Sequence, residues 1–295
     1  MLSMIGHELR GWIKSKIIFL YCAVLIVYCA ANHAWSVYHL FAGECDWIRK
    51  LSEAAGKTVR ETVQAGASEE ILHYAYLLSE KSSFLFPLYM YGKFAVLLFV
   101  PLVCLMLYRE MESRVAMQRV TYHGSFRYCL SKAGACALLA GLCFAVMGAV
   151  CAAGSVLYRA DLLKDSIRAE VLAVCQEQIP FALTGFIAAL ITVMLIIGGF
   201  AFFAAAFGYA LSIPQAGLLL PFVSVPKWEV GLFRSVWLTV DSLFCRMLPT
   251  MRIGSYLLIS DAAAARNGTV SCYIWLLLLF VPGFLLLKCK KQYDY

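Results

Sequence analysis

Seven charged side chains crowd one stretch of an otherwise apolar sequence: Arg109, Glu110, Glu112, Arg114, Arg119, Arg127 and Lys132. Acids and bases interleaved at helical spacing do the chemistry of ion pairing and surface recognition rather than bond-making. Glu110 and Arg114 stand four apart and are expected to pair on one helix face. No nucleophile and base accompany them. The phosphate-cradling G-x-x-x-x-G-K-[ST] loop, G-x-S-x-G and H-E-x-x-H are all absent, and each is the minimum sequence for its chemistry. The histidines (His7, His33, His39, His73, His123) are scattered. Glu69-Glu70-x-x-His73 invites a metal or protease reading, but it has no partner motif and reads as a solvated helix face. The sequence therefore calls for no catalytic residue, no cofactor and no metal, and transport or gating leads over enzymatic work.

The elements that must position these charges are membrane helices. Hydrophobic residues make up 62% of the 295 and charged residues 15%, where a soluble domain carries about a quarter charged. Mean hydropathy is +0.77. Residues 17–43, 94–108, 133–158, 178–226 and 267–287 contain no Lys, Arg, Asp or Glu. A helix needs about 20 apolar residues to cross a hydrocarbon core, so the expected fold is an all-α integral membrane protein. Six spans are expected, at about 17–36, 85–107, 133–157, 180–205, 208–226 and 270–287. The second relies on Lys93 snorkelling, and the fourth and fifth on a turn within Gly208–Gly217.

Basic residues accumulate in loops that stay cytoplasmic. That rule puts residues 1–16, the loop 108–132 and the tail from Lys288 inside, with both termini cytoplasmic. Loop 44–81 carries five basic and seven acidic residues and loop 158–179 three and four, so both are expected outside. Residues 227–266 are expected outside despite five basic and three acidic residues. With Trp228, Leu232, Val236, Val240 and Phe244 opposite Lys227, Arg234 and Asp241, the segment 227–269 reads as an amphipathic element on the outer surface.

Three further segments have readable patterns. Residues 1–16 set Leu2, Ile5, Leu9, Trp12 and Ile13 on one face and His7, Arg10 and Lys14 off it, as an interfacial helix does. Residues 40–84 repeat apolar positions helically, with Gly56 and Gly66 as turns. They are too few to bury a core alone and are expected to cap the outer ends of the spans. In the third span Ala133, Ala137, Gly141, Ala145, Ala149 and Ala153 recur every four residues, a small-residue ridge for close helix packing. Most cysteines fall inside spans as small apolar residues, whereas Cys45, Cys175 and Cys245 lie on the expected outer side, where a disulfide between two of them is open.

The stretch Tyr108–Lys132 resembles the inner loop of permease subunits of the type 2 ATP-binding-cassette export family. Arg109-Glu110 follows the second span, a short helix comes next, then Ser125 and Arg127, and Lys132 opens the third span. The chain reads Ser113-Arg114-Val115 where the family often has Gly-Thr, and His123-Gly124 where it often has Pro. The interfacial helix and six spans match the family's layout. The resemblance implies a permease that dimerises with a second copy, equal or different, and docks a separate ATPase subunit. Its expected place is a multi-pass position in a bacterial-type cell membrane, with the lipid bilayer as its other partner and no nucleic acid. Glu110, Glu112, Arg114, Arg119, Arg127 and Lys132 are the expected ATPase-coupling residues, and Ala137, Gly141, Ala145 and Ala149 the expected helix-packing ones. The competing expectation is a non-transporting sensor or immunity protein that binds a ligand through the outer cap.

Overall fold

The computed structural model describes residues 1–64, 83–176, 183–214, 274, 277, 278 and 280–290, and among these every regular element is helical. Helix α1 (Leu2–Lys14) turns at Ser15 into α2 (Lys16–Trp35). A π-helical stretch, Ser36–Phe41, carries α2 without a break into α3 (Ala42–Ala55). Gly56, at φ +60°, ends α3 in the left-handed conformation that glycine adopts without strain. The short α4 (Val59–Gln64) follows. After a 3₁₀ turn, Ser83–Leu85, come α5 (Phe86–Tyr91), a second 3₁₀ turn, Gly92–Phe94, and α6 (Ala95–Glu112). Then follow α7 (Val115–His123), α8 (Ser125–Leu162), α9 (Ser166–Gln176), α10 (Leu183–Ala210) and a last helix, α11, over 280–290.

Three helices among the described residues are long and apolar enough to cross a membrane: Lys16–Ala55, Ser125–Leu162 and Leu190–Ala210. The six expected spans are thus met in part. The first does not stop near residue 36. Its 40 residues run about 60 Å at 1.5 Å each, roughly twice a hydrocarbon core, so its far end stands beyond the apolar layer. The second is divided into α5, a 3₁₀ turn and α6, because Pro87 starts a new helix and Gly92 tightens the next turn. The fourth runs on to Ala210 and turns over Leu211–Pro214, inside the expected window, with Ser212 at φ +57°. The fifth span beyond Pro214, the outer element 227–269, Gly66 and the Glu69–His73 cluster lie outside the described residues.

Helix α8 is the hub, packing against α1, α2, α5, α6, α7 and α10. Its contacts within this chain use only part of the small-residue ridge. Gly141 lies so close to α10 that a Cβ there would fall 2.5 Å from Met194 Sδ, and Ala137 meets Gly198. Ala145, Ala149 and Ala153, by contrast, are exposed on this chain. A four-residue step advances about 40° beyond a full turn, so six such positions sweep about 200° around the helix. A seven-residue step falls only about 20° short of two turns. Gly134, Gly141 and Gly148, spaced by seven, hold the closest approaches: Ile5 covers the first, Met194 the second and the Phe84 carbonyl the third.

The far end of the molecule is a separate apolar cluster. Val37, Phe41, Cys45, Ile48 and Val63 pack with Leu162, Val171, Leu172 and Val174, which joins α3 and α4 to the end of α8 and to α9. An Arg49–Asp165 ion pair at 3.0 Å closes it. Cys45 is buried, and the side chain of Cys175 and all of Cys245 lie outside the described residues.

Candidate functional site

At the opposite end, four helices bring two acids and two bases into one buried cluster. Glu8 comes from α1, Glu110 from the last turn of α6, Arg119 from α7 and Lys132 from α8. Lys132 Nζ donates to Glu8 Oε2 at 2.5 Å and also to Glu110 Oε1. Arg119 Nη1 donates to Glu110 Oε1 at 3.1 Å and also to Glu8 Oε1. The Tyr128 hydroxyl, one turn before Lys132 on the same face of α8, donates to Glu110 Oε2 at 2.7 Å.

All four carboxylate oxygens of the pair are therefore engaged, and formal charge sums to zero. That balance is what makes the burial tolerable, since an unpaired ion in a low-dielectric interior is expensive. The Lys132 side chain has 0% of its surface exposed, those of Glu8 and Glu110 7% and 12%. Arg119 is the member in contact with solvent, at 29%.

Local chain geometry explains why these residues meet. Helix α6 ends at Glu112, and Arg114 takes a left-handed conformation at φ +59° that turns the chain into α7. Gly124, at φ +80° and ψ +146°, turns it again into α8. That region of backbone space is essentially restricted to glycine. The two turns fold α7 back across the mouths of α6 and α8, which points Arg119 toward Glu110. Helix α1 covers the remaining side, with Trp12 fully buried and Ile5 against Gly134. Arg109 Nη1 reaches Ser15 Oγ at 3.3 Å where α1 joins α2.

Of the residues expected from sequence, Glu110, Arg119 and Lys132 converge in this cluster. Glu112, Arg114 and Arg127 are exposed around it. The expected Glu110–Arg114 pair does not form. Its i,i+4 spacing presumes one continuous helix, and the left-handed Arg114 breaks the register. Arg119 and Lys132 take its place. The loop-charge rule sees Glu8 only as one acid against Arg10, Lys14 and Lys16, and so does not reach its part in the cluster. The signal was present: Glu8 lies on the face of α1 bounded by Met4, Ile5, Leu9 and Trp12, where a lone acid has no reason to be unless a base meets it. Leu2 and Ile13, assigned to the apolar face, are exposed. Among the described residues no group of three or more His, Cys, Asp or Glu could hold a metal ion.

No family model matches the chain, nor does any curated protein or any solved structure.

Proposed function

We propose that the chain is the permease subunit of an ATP-driven exporter, working as a pair of such subunits with a separate ATPase docked against α7. The buried quartet carries this reading. It welds the surface helix α7 to α1, to the end of α6 and to the start of α8, so a push on α7 is delivered to long helices rather than lost in a loose loop. Four charged hydrogen bonds meeting in a low-dielectric interior act as a stiff joint. Topology alone does not ask for acids here, because positive charge suffices to hold a loop inside. The docking face offered to the ATPase is then the exposed ring of Glu112, Arg114 and Arg127, while the quartet stays behind it and transmits.

Copurification tests this reading. A tagged full chain is expected to retain a nucleotide-hydrolysing partner, and the E112K/R127E double reversal to lose it while the chain still elutes as a folded species. Failure to recover any ATPase from membranes containing the intact chain overturns the proposal.

A further inference from the structure

A cavity of about 840 Å³ opens beside the quartet, lined by α7, the first turn of α8, the end of α10 and α11. It lies within the range of about 300–1,000 Å³ usual for ligand pockets. Its lining has two halves. Met117, Val120, Phe126, Phe284 and Leu287 make an apolar floor, on which the Phe126 and Phe284 rings stand edge to face at 5.6 Å. Lys288 and Lys290, with the Thr121 and Ser125 hydroxyls, make a polar rim.

No acidic side chain is among the described lining residues. The quartet balances its charges internally, whereas the described residues lining this cavity carry two positive charges and no negative one. Lys290 is also fixed in place. Its Nζ donates to the Tyr209 carbonyl at 2.7 Å and to Ser212 Oγ at 2.9 Å, and lies 4.4 Å from the centroid of the Tyr209 ring. A lysine has three N–H groups, so one remains for a ligand.

We propose that this cavity binds one anionic glycerophospholipid, with the phosphate at Lys288 and Lys290 and an acyl chain along Phe126, Phe284 and Leu287. A small soluble anion has no use for the apolar floor, and a zwitterionic lipid leaves the two lysines uncompensated. The depth also fits. The cavity sits where α10 ends and where α8 has not yet begun its charge-free run at residue 133, which is headgroup level for helices that cross a bilayer. The inference rests on α8 and α10 spanning the membrane and is independent of the exporter reading.

Native mass spectrometry of the full chain in neutral detergent tests it, with phosphatidylglycerol and phosphatidylcholine of equal chain length as probes. A phosphatidylglycerol adduct in preference to the phosphatidylcholine one is expected. A lysine near a membrane surface is worth about fivefold in affinity for an anionic lipid, so K288Q should weaken the adduct by about that factor. F284A should weaken it too, and K290R should retain it. If K288Q/K290Q proves unstable because Lys290 also anchors Tyr209, the comparison of K288Q/F284A with wild type decides. Equal binding of the two lipids, an unchanged adduct in K288Q/F284A, or displacement by excess inorganic phosphate overturns the inference. The last result would mark the site as one for a soluble anion.

Discussion

Lys132 has no exposed surface and two carboxylate partners on two different helices, so its removal leaves Glu8 and Glu110 sharing one base, Arg119, with the Tyr128 hydroxyl still on Glu110. Breaking a buried ion cluster by deleting one partner costs about 3–5 kcal/mol, and K132M is expected to fall in that range by thermal unfolding in detergent. E8Q/K132M restores neutrality and is expected to cost less than the two single changes added together, by more than about 1 kcal/mol. Additive costs would show that the quartet is not one unit. The two turns that build the site behave oppositely. G124A puts a side chain where φ is +80° and should destabilise by about 1–3 kcal/mol. R114G relieves a left-handed arginine and is expected to be neutral or stabilising by up to about 1 kcal/mol. Three of the four ionic partners were legible from sequence because they sit in one charged segment. Glu8, 102 residues before Glu110 in the numbering, was not, since charge counting discards which face of a helix an acid occupies.

At the scale of elements, close packing and helix ends decide what sequence periodicity only suggests. A Cβ on Gly141 meets the flexible side chain of Met194, whereas one on Gly148 meets the Phe84 carbonyl at 2.9 Å. A methionine can swing aside and a backbone carbonyl cannot, so G148A should cost about 1–3 kcal/mol and G141A distinctly less in the same unfolding assay. Equal costs would contradict the seven-residue seam. The apolar cluster built by α3, α4 and α9 makes a pH prediction. The Thr58 backbone N–H donates to Glu61 at 3.0 Å and the Glu61 N–H to Thr58 Oγ1 at 3.2 Å. The bond from the Thr58 backbone N–H, and after it the Thr58 side chain, hold the Glu61 carboxyl below its ordinary 4.5. Partial burial pushes Asp165 up, but the Ile167 and Arg168 N–H groups and the Arg49 and Arg168 guanidiniums outweigh it and keep it low. Both folded values are depressed, so both groups stabilise the cluster above their ordinary values and lose that effect as pH falls through the folded ones. Hydrogen exchange at Val59–Gln64, corrected for intrinsic rates, should be flat from about pH 7 to 5 and rise below about pH 4. E61Q/D165N should flatten the rise. The boundary between first span and cap was illegible because a π-helical stretch has no sequence punctuation: Ser36–Phe41 contains neither Gly nor Pro.

Across the whole molecule, one end is charged and tied and the other is apolar and capped, with long helices between. Val24, Val27 and Tyr28 of α2 and Leu142 and Val146 of α8 are exposed, as befits surfaces facing lipid or a second subunit rather than water. The all-helical, membrane-helix character followed from charge-free runs, which report apolar length directly. The bounds of the first two spans did not, since apolar length is blind to the Pro87 and Gly92 interruptions and to the overrun of α2 into α3. Under the proposed function, the quartet transmits work from an ATPase to the membrane helices. The direct measurement is the nucleotide hydrolysis rate of the copurified complex reconstituted in vesicles, compared between wild type and K132M at equal partner occupancy. Severed transmission predicts that K132M keeps its ATPase bound but uncouples its hydrolysis from the membrane chain, leaving the rate of the ATPase alone. An unchanged rate in K132M, with the partner still bound, would contradict it.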